Sequence, residues 1–442
     1  MTLVSPGNWA PTAWSGEEDG PEGVARLGSA GARLLAGSAS REGLAEHHAR
    51  LGPPPDWSNR PEDLVAVVRE SGLTGRGGGY FPLASKLESA RSVPGPAVVV
   101  VNATESEPAS AKDRTLLEHR PHLVLDGAQA LAAAASADRV IVAMHSGAAG
   151  FGSIRAAIEE RKDHGAAATE LAIVPDRYVA GESSALVAYI NGGPARPAPR
   201  GVRTSISGVG GRPTVVSNAE TASQLALIAR FGAKWFREAG TDLSPGSTLV
   251  TVTGDVALPG SVFEVLQPVS FGTVITAGGG SPAPPQAVLL GGYAGTWVPG
   301  DRAWGSTLDA TRLARAGMPL GCGLVGVLGP GRCGLVEAAR LMAWLSDERA
   351  GQCGTCTMGL PAVSERLTGI AEGTQRGRRE VHRIVALGET ISGRGLCGLP
   401  DGAVAMVESA LSTFSEELRL HRKGRCSGGC DDPVFAVPRS RP

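Results

Sequence analysis

This 442-residue chain has no excess of charge of either sign. Its 42 basic and 43 acidic residues leave a net charge of -1, so the electrostatic footprint of a nucleic-acid binder is missing. It has no apolar run near the ~20 residues of a membrane span. Its first twenty residues lack the basic start and apolar centre of a secretory leader, and the expected location is the cytoplasm. No cysteine precedes Cys322, and the total of seven is odd, which points to metal or redox chemistry rather than a disulfide framework. The eight histidines show no metal-ligand spacing, and His47-His48 reads as part of a solvated surface helix. No Ser-His-Asp set and no glycosidase-like carboxylate pair is evident. Lysine is scarce beside arginine, yet Lys86 and Lys112 both fall in one short region.

That region carries the chemistry. The glycine-rich run SGLTGRGGGYFPLASK spans Ser71–Lys86 and is followed by an apolar strand, Ala97–Val101. After the strand comes VNATESEPASAKDR, ending at Arg114. Glycines let a backbone approach a phosphate closely and present its amides; Arg76 and Lys86 supply charge to meet it. Helical patterns at Arg60–Ser71, Asp113–Glu118, Leu123–Ala137 and Ile154–Lys162 alternate with strand patterns at Arg139–Met144 and Glu170–Val174. The alternation predicts an α/β layer with a largely parallel sheet, whose ligand lies beyond the C-terminal strand ends near Asn102. Short β-rich runs between residues 247 and 300 predict a small β domain. Helical patterns dominate from about Leu335.

Six ordered motifs then carry a resemblance. They are GLTGRGGGYFP (Gly72–Pro82), NATESEPASAKDR (Asn102–Arg114), YVAGESSAL (Tyr178–Leu186), GRPTVVSNAET (Gly211–Thr221), VTGDVALPG (Val252–Gly260), and CGTC (Cys353–Cys356) with the late Cys397. From about Ser40 to about His421 the chain resembles the NADH-oxidising flavoprotein subunit of respiratory complex I and the related subunits of soluble hydrogenases and formate dehydrogenases. The resemblance implies a Rossmann-like α/β domain holding FMN, then a β-grasp (ubiquitin-like) domain, then a C-terminal helical bundle with an iron–sulfur cluster of the 4Fe–4S type. The corresponding bounds are a loose N-terminal arm at 1–40, the FMN domain at 41–240, the β-grasp at 245–330, the helical iron–sulfur domain at 331–421 and a polar, loosely held tail at 422–442. It implies FMN contacts from Gly75, Arg76, Gly77, Lys86, Asn102, Glu105, Tyr178, Gly181, Glu182 and Asn218. Cluster ligation would fall to Cys353, Cys356 and Cys397. Beside the flavin, Glu105 and Glu107 are the candidates for positioning a proton or hydride. Tyr80, Phe81, Arg200 and Arg203 are the candidates for substrate contact.

The departures from the family pattern are specific. Ser89 and Arg203 stand where aromatics that stack on adenine are expected, while Phe81 is kept. A glutamate pair is reduced to Glu182-Ser183, an aspartate to Thr104, and a loop glycine is replaced by Tyr80. Gly359 occupies the third position of C-x-x-C-x-x-C, so three family cysteines remain where four thiolates are usual. Cys322, Cys333, Cys426 and Cys430 are candidate replacements, the last two on a tail that can fold back. The expected activity is an FMN-dependent iron–sulfur oxidoreductase linking a hydride donor, NAD(P)H where the altered site accepts it, to a one-electron carrier. A ferredoxin or other small iron–sulfur protein is the implied partner, and homo-oligomerisation is left open. An FMN-dependent dehydrogenase or reductase of a small organic substrate, and a non-catalytic assembly subunit, are the alternatives.

Overall fold

In the computed structural model the described residues are 22–29, 31–162, 168–199, 201, 203–374, 378–428 and 432–438. The chain enters through a two-residue strand β1 (Val24–Ala25) and helices α1 (Leu44–Leu51), α2 (Pro61–Ser71) and α3 (Leu83–Arg91). Strand β2 (Ala97–Asn102) follows, then α4 (Lys112–His119), α5 (Pro121–Ala135), β3 (Ala137–Met144), α6 (Phe151–Glu160), β4 (Thr169–Ile173), α7 (Ser183–Ile190), β5 (Thr214–Asn218) and α8 (Ala219–Arg237). These four strands form one wholly parallel sheet in the order β4-β3-β2-β5. Strand β2 is central and helices cover both faces, so Val98 to Val101 read as an unbroken apolar run with no exposed surface. Asn102 and Asn218 pair across the C-terminal ends of β2 and β5, which sets the two amides side by side where a ligand belongs.

A second sheet is built from β6 (Thr248–Gly254), β7 (Ser261–Val265), β8 (Ala287–Leu290), β9 (Thr296–Pro299) and β10 (Leu324–Leu328), with α9 (Phe271–Ala277), α10 (Gly300–Trp304) and α11 (Ala310–Arg315) beside it. Its order is β1-β7-β6-β10-β8-β9, and only the central β6–β10 pair is parallel. The chain ends in α12 (Gly334–Asp347), α13 (Leu360–Ala371), α14 (Arg378–Ile391), α15 (Leu399–Thr413) and α16 (Ser415–His421). These helices share one buried apolar cluster with the outer strands of the second sheet, centred on Trp297, Met342, Leu345, Val407 and Phe414. No helix among the described residues is long and apolar enough to cross a membrane.

Both ends of the chain depart from expectation. Of the arm expected at 1–40, residues 1–21 and 30 lie outside the described residues, and the rest is not loose. The backbone amides of Arg33, Leu34 and Leu35 all donate to the buried carboxylate of Glu264 at 2.9–3.1 Å, and Leu34 and Leu35 are fully buried. The tail is not loosely held either where it is described. Glu337 accepts from Val434 N at 3.1 Å, and Phe435 packs edge-on against Trp297 and Tyr293 in the core. In both places a buried carboxylate satisfies backbone amides that would otherwise be stranded.

His47 is also not solvated. It lies fully buried, with Nε2 2.6 Å from Asp126 and Nδ1 3.1 Å from Glu42. Asp126 in turn pairs with Arg161 at 2.8 Å and Arg230 at 2.5 Å. Nearby, His122 accepts at Nδ1 from Arg161 Nε (3.0 Å) and donates from Nε2 to Glu160 (2.8 Å), which fixes a neutral tautomer. Burial and the adjacent Arg161 push its pKa down to about 4. The folded ring therefore stays neutral while an unfolded one takes a proton near pH 6.5. The associated stability is present above that pH and lost as pH falls towards 4. Thermal unfolding between pH 7 and 4 should show a falling midpoint. His122→Gln, which keeps both hydrogen bonds, should flatten that fall by several degrees; an unchanged slope would exclude His122 as the source.

Candidate functional site

The glycine loop between α2 and α3 is tied at its base by Gly75 N to Phe81 O, 2.9 Å. Gly77 lies over Asn218, whose Cβ would stand 3.3 Å from any Cβ added there. Gly78 has φ +104, a conformation that favours glycine, and a Cβ there would stand in ordinary contact, 3.6 Å from the Gly321 backbone. The loop is thus held between the end of β5 and the turn entering β10. Its arginine does not face the ligand side. The Arg76 guanidinium is buried and donates to the carbonyls of Pro245 and Ser247 at 3.1 and 3.3 Å, so its charge serves the junction between the sheets rather than a phosphate.

Beneath the loop is a charged floor. The Lys112 ammonium, 2% exposed, reaches Asp113 (2.8 Å), Glu220 (3.1 Å) and Asn218 Oδ1 (3.1 Å), which uses all three of its protons. Burial opposes its charge, but Asp113 and Glu220 outweigh burial and raise its pKa. Asn218 also caps α8 by accepting from Glu220 N at 3.0 Å and donates to Asp113 at 2.5 Å.

The loop after β2 is bound up with Gly181. Asn102 Nδ2 donates to Gly181 O at 2.7 Å, and Thr104 Oγ1 donates to Asn102 Oδ1 at 2.8 Å. A Cβ on Gly181 would meet Thr104 Oγ1 at 2.8 Å. Glu105, one of few non-glycine residues at positive φ (41°), turns back to cap α4. It accepts from Asp113 N, Arg114 N and Ser110 Oγ, each at 2.8 Å. Those bonds make it a helix-start anchor, with its carboxyl pushed up by burial and by Asp113. Tyr80, also at positive φ (47°), turns its ring onto the core of the second sheet and does not line the cavity described next.

That cavity, of about 660 Å3, is lined by Phe81, Lys86, Glu182, Arg203 and Cys397 together with serines of α3, α7 and the loop at Ser205. Five separately predicted residues therefore meet at one opening. Lys86 donates to Val216 O at 2.7 Å and has no carboxylate partner among the described residues, and burial lowers its pKa. A part-buried ammonium without a counter-charge is suited to an anionic ligand. Phe81 is 56% exposed at the rim, an aromatic face open to a planar ring. Glu182 caps α7 through Ser184 N and Ala185 N. Where the expected second aromatic is missing, Ser89 Oγ and Ser205 Oγ lie 2.8 Å apart. Arg200 falls outside the described residues. Size and lining fit a phosphorylated ring ligand such as FMN.

Tyr178 joins this region to the helices. Its amide donates to Glu348 (2.9 Å) and its ring stands edge-on to Trp344 at 5.2 Å. Burial, with Glu107, Cys322 and Cys397 nearby, raises its pKa well above the ordinary value. Cys353 lies two residues before a π-turn (Thr355–Gly359) that runs into α13; Cys356 sits within that turn, and Cys397 lies just before α15. Burial disfavours the Cys353 thiolate, but the Thr355 hydroxyl at 3.0 Å and backbone amides outweigh it, bringing the pKa to about 7. Cys356, buried beside Cys353, is pushed up to about 11. A Cβ on Gly359 would lie 2.9 Å from Ile391 Cδ1, and Ile391 is buried. The missing third cysteine is thus replaced by an apolar side chain filling its space. These residues fit a cluster held by three thiolates and an open or foreign fourth position. Cys322 donates to Gly291 O at 3.4 Å and Cys333 lies 3.2 Å from His421 Nε2, Cys430 lies outside the described residues, and the Ile391 packing could not have been read from the spacing.

Glu107 is the remaining acidic candidate. Its Oε2 accepts from Tyr293 N at 2.9 Å, while Oε1 is buried without a hydrogen-bond partner among the described residues. Burial raises its pKa to about 8. Unfolding frees a carboxyl that ionises near pH 4.5, so folding is penalised increasingly as pH rises from there towards 8. Glu107→Gln keeps the acceptor for Tyr293 and removes the titration. Its melting temperature should match the parent near pH 5 and exceed it by a few degrees near pH 9; equal values at both pH values would contradict the buried neutral acid.

Comparison with known proteins agrees with this geometry. The Nuo51 FMN-binding domain model matches residues 68–227, and the NADH-ubiquinone oxidoreductase-F iron-sulfur binding region model matches residues 337–421. The second F-type subunit of the NADH-quinone oxidoreductase of Rhizobium meliloti is 29% identical over 382 residues, 83% of this chain and 90% of its own. The F-type subunit of the Mycobacterium bovis NADH-quinone oxidoreductase is 28% identical over 399 residues, 84% and 86% of the two chains. A crystal structure of an NAD+-reducing NiFe-hydrogenase in the H2-reduced state aligns with a TM-score of 0.77 at 28% identity, covering 89% of this chain and 69% of that one. Matched regions in the same order, likeness along most of the chain and a shared fold lead to one conclusion: the chain belongs to the family of FMN- and iron–sulfur-binding flavoprotein subunits of complex I and related diaphorases.

Proposed function

We propose that the protein oxidises a nicotinamide hydride donor at the Phe81–Lys86–Arg203 cavity and passes the electrons through the Cys353/Cys356/Cys397 site to a small iron–sulfur carrier such as a ferredoxin. The observation that carries this is the cavity itself, which has Lys86 and Phe81 on one wall and Cys397 on another. A flavin and a cluster in these positions are neighbours. FMN supplies the chemistry of taking an electron pair as hydride and giving electrons up singly. The chain's own part is positioning. Lys86 meets the phosphate, Phe81 offers a stacking face, and the exposed Arg203 guanidinium meets a nucleotide phosphate or stacks on adenine in place of an aromatic. Asn102, Gly181, Tyr178 and Asn218 lie outside the cavity lining and brace the loops around it, and Glu107, neutral and buried, is the group proposed to hold a proton.

The second sheet is read as a β-grasp domain. Supporting this is the order β7-β6-β10-β8, with a parallel central pair and α9 between the second and third of those strands. The five terminal helices are read as the cluster-bearing bundle, and the unit bounds follow as 41–240, 245–330 and 331–421.

Anaerobic visible spectra test the reading. The purified protein should show bound oxidised flavin that bleaches with NADH or NADPH, and Lys86→Ala should bind FMN at least about tenfold more weakly, the loss of one charge-assisted contact. Flavin that stays oxidised with both nucleotides would remove the nicotinamide donor and favour a small organic substrate. No flavin at all would overturn the enzyme reading. Gly359→Cys together with Ile391→Ala should give a cluster that survives air longer than in the parent, and Gly359→Cys alone should not; equal lability in all three would mean that position is not a cluster corner.

A further inference from the structure

Away from the flavin cavity, three metal-binding side chains converge where three helices end. Cys333 is the residue preceding α12, His421 is the last residue of α16, and Cys426 follows on the tail. One donor atom from each lies within 4.8 Å of the others. His421 Nε2 is 3.2 Å from Cys333 Sγ, and His421 Nδ1 is 2.7 Å from the carbonyl of Ala371, the last residue of α13. A carbonyl only accepts, so the Nδ1 proton is fixed there and Nε2 presents its lone pair to the two sulfurs. This is the arrangement by which an outer hydrogen bond orients a histidine for a metal. Around a tetrahedral zinc, with Zn–S of about 2.3 Å and Zn–N of about 2.1 Å, donors stand roughly 3.6–3.8 Å apart. The observed spacing falls around that value.

We propose that Cys333, His421 and Cys426 form a zinc site separate from the Cys353/Cys356/Cys397 site. Its donor set, two sulfurs and one imidazole, suits zinc. Its place rules out service to the cluster. Cys353 and Cys356 precede the start of α13 and Ala371 ends it, and the twelve residues between Leu360 and Ala371 at ~1.5 Å each put about 18 Å between the two ends. The site therefore clasps the start of α12, the end of α16 and the returning tail, just before that tail docks Phe435 in the core. Cys426 is disulfide-bonded in the structure, so the site forms after reduction. A dithiol reductant passes two electrons and two protons to the disulfide, becomes its cyclic disulfide and leaves two thiols, that of Cys426 and that of its former partner; zinc then displaces the protons of Cys333 and Cys426.

The test uses the full chain, reduced with a dithiol, incubated with zinc chloride and desalted. Metal analysis should find about one zinc per chain in the parent and at least about fivefold less in Cys333→Ser and Cys426→Ser, with iron unchanged. Cys426 is exposed on the tail, so Cys426→Ser leaves the core packing intact and remains informative if Cys333→Ser fails to fold. Cobalt(II) offers a second readout: a thiolate-to-metal charge-transfer band should appear in the reduced parent and be lost in Cys426→Ser. Reduced parent protein that retains no zinc, or zinc and cobalt signals equal in parent and Cys426→Ser, would overturn the site and leave a thiol hydrogen-bonded to a histidine.

Discussion

One buried ammonium holds the functional half of this molecule together. Lys112 begins α4, Asp113 follows it, Asn218 ends β5, and Glu220 opens α8 and accepts Leu249 N of β6 at 3.0 Å. A single cation therefore joins the loop after β2, the end of β5 and the first strand of the second sheet. In a dry interior such a cation is stable only with its whole set of partners, and removing one member of a buried pair costs on the order of 3–5 kcal/mol. The glycine loop rests on this floor, with Gly77 against Asn218. The position of the loop, and hence of Lys86 and Phe81 at its far end, follows from an electrostatic arrangement that touches no ligand.

The same device recurs with the sign reversed. Glu264 gathers three amides of the N-terminal arm, Glu337 takes those of the tail, Glu348 takes Tyr178 N and Glu105 takes the start of α4. Each ties a loop, a short turn or a helix start to a partner outside its own hydrogen-bonded structure. Glu107 differs in having Tyr293 N on one oxygen and a second oxygen with no hydrogen-bond partner among the described residues, and burial pushes its carboxyl up to about 8.

The parallel sheet and its strand and helix positions were legible from sequence, and Phe81, Lys86, Glu182 and Arg203 were read as ligand contacts; that Cys397 of the terminal helices meets them at one cavity was not. Glycine spacing, β-branched runs and motif order are local signals or depend on chain order alone. The direction of Arg76 was not legible, because a guanidinium beside a glycine loop has two neighbours and the carbonyls of Pro245 and Ser247 lie about 170 positions away. Glu105 was read for its charge, while its positive φ and the following helix start decide its role. His47 looked solvated because its helix is polar, and only Asp126, brought in by α5, shows why it is buried. The meeting of Cys333 with His421 depends on how three helix ends come together, for which sequence spacing offers no signal.

The points where this chain departs from its family are filled. Gly359 lacks the expected thiol, and Ile391 occupies its space at 2.9 Å from where a Cβ would stand. Ser89 lacks the expected aromatic, and Ser205 meets it with a hydroxyl at 2.8 Å. Tyr80 replaces a glycine, accepts a positive φ, and places its ring on the second-sheet core. An uncompensated loss would leave a void or an unpaired polar group, each a cost of about 1–3 kcal/mol. Instead, neighbours distant in sequence complete each replacement. Packing of that kind makes the Ile391-filled corner at Gly359 and the serine-walled cavity stable features of the fold.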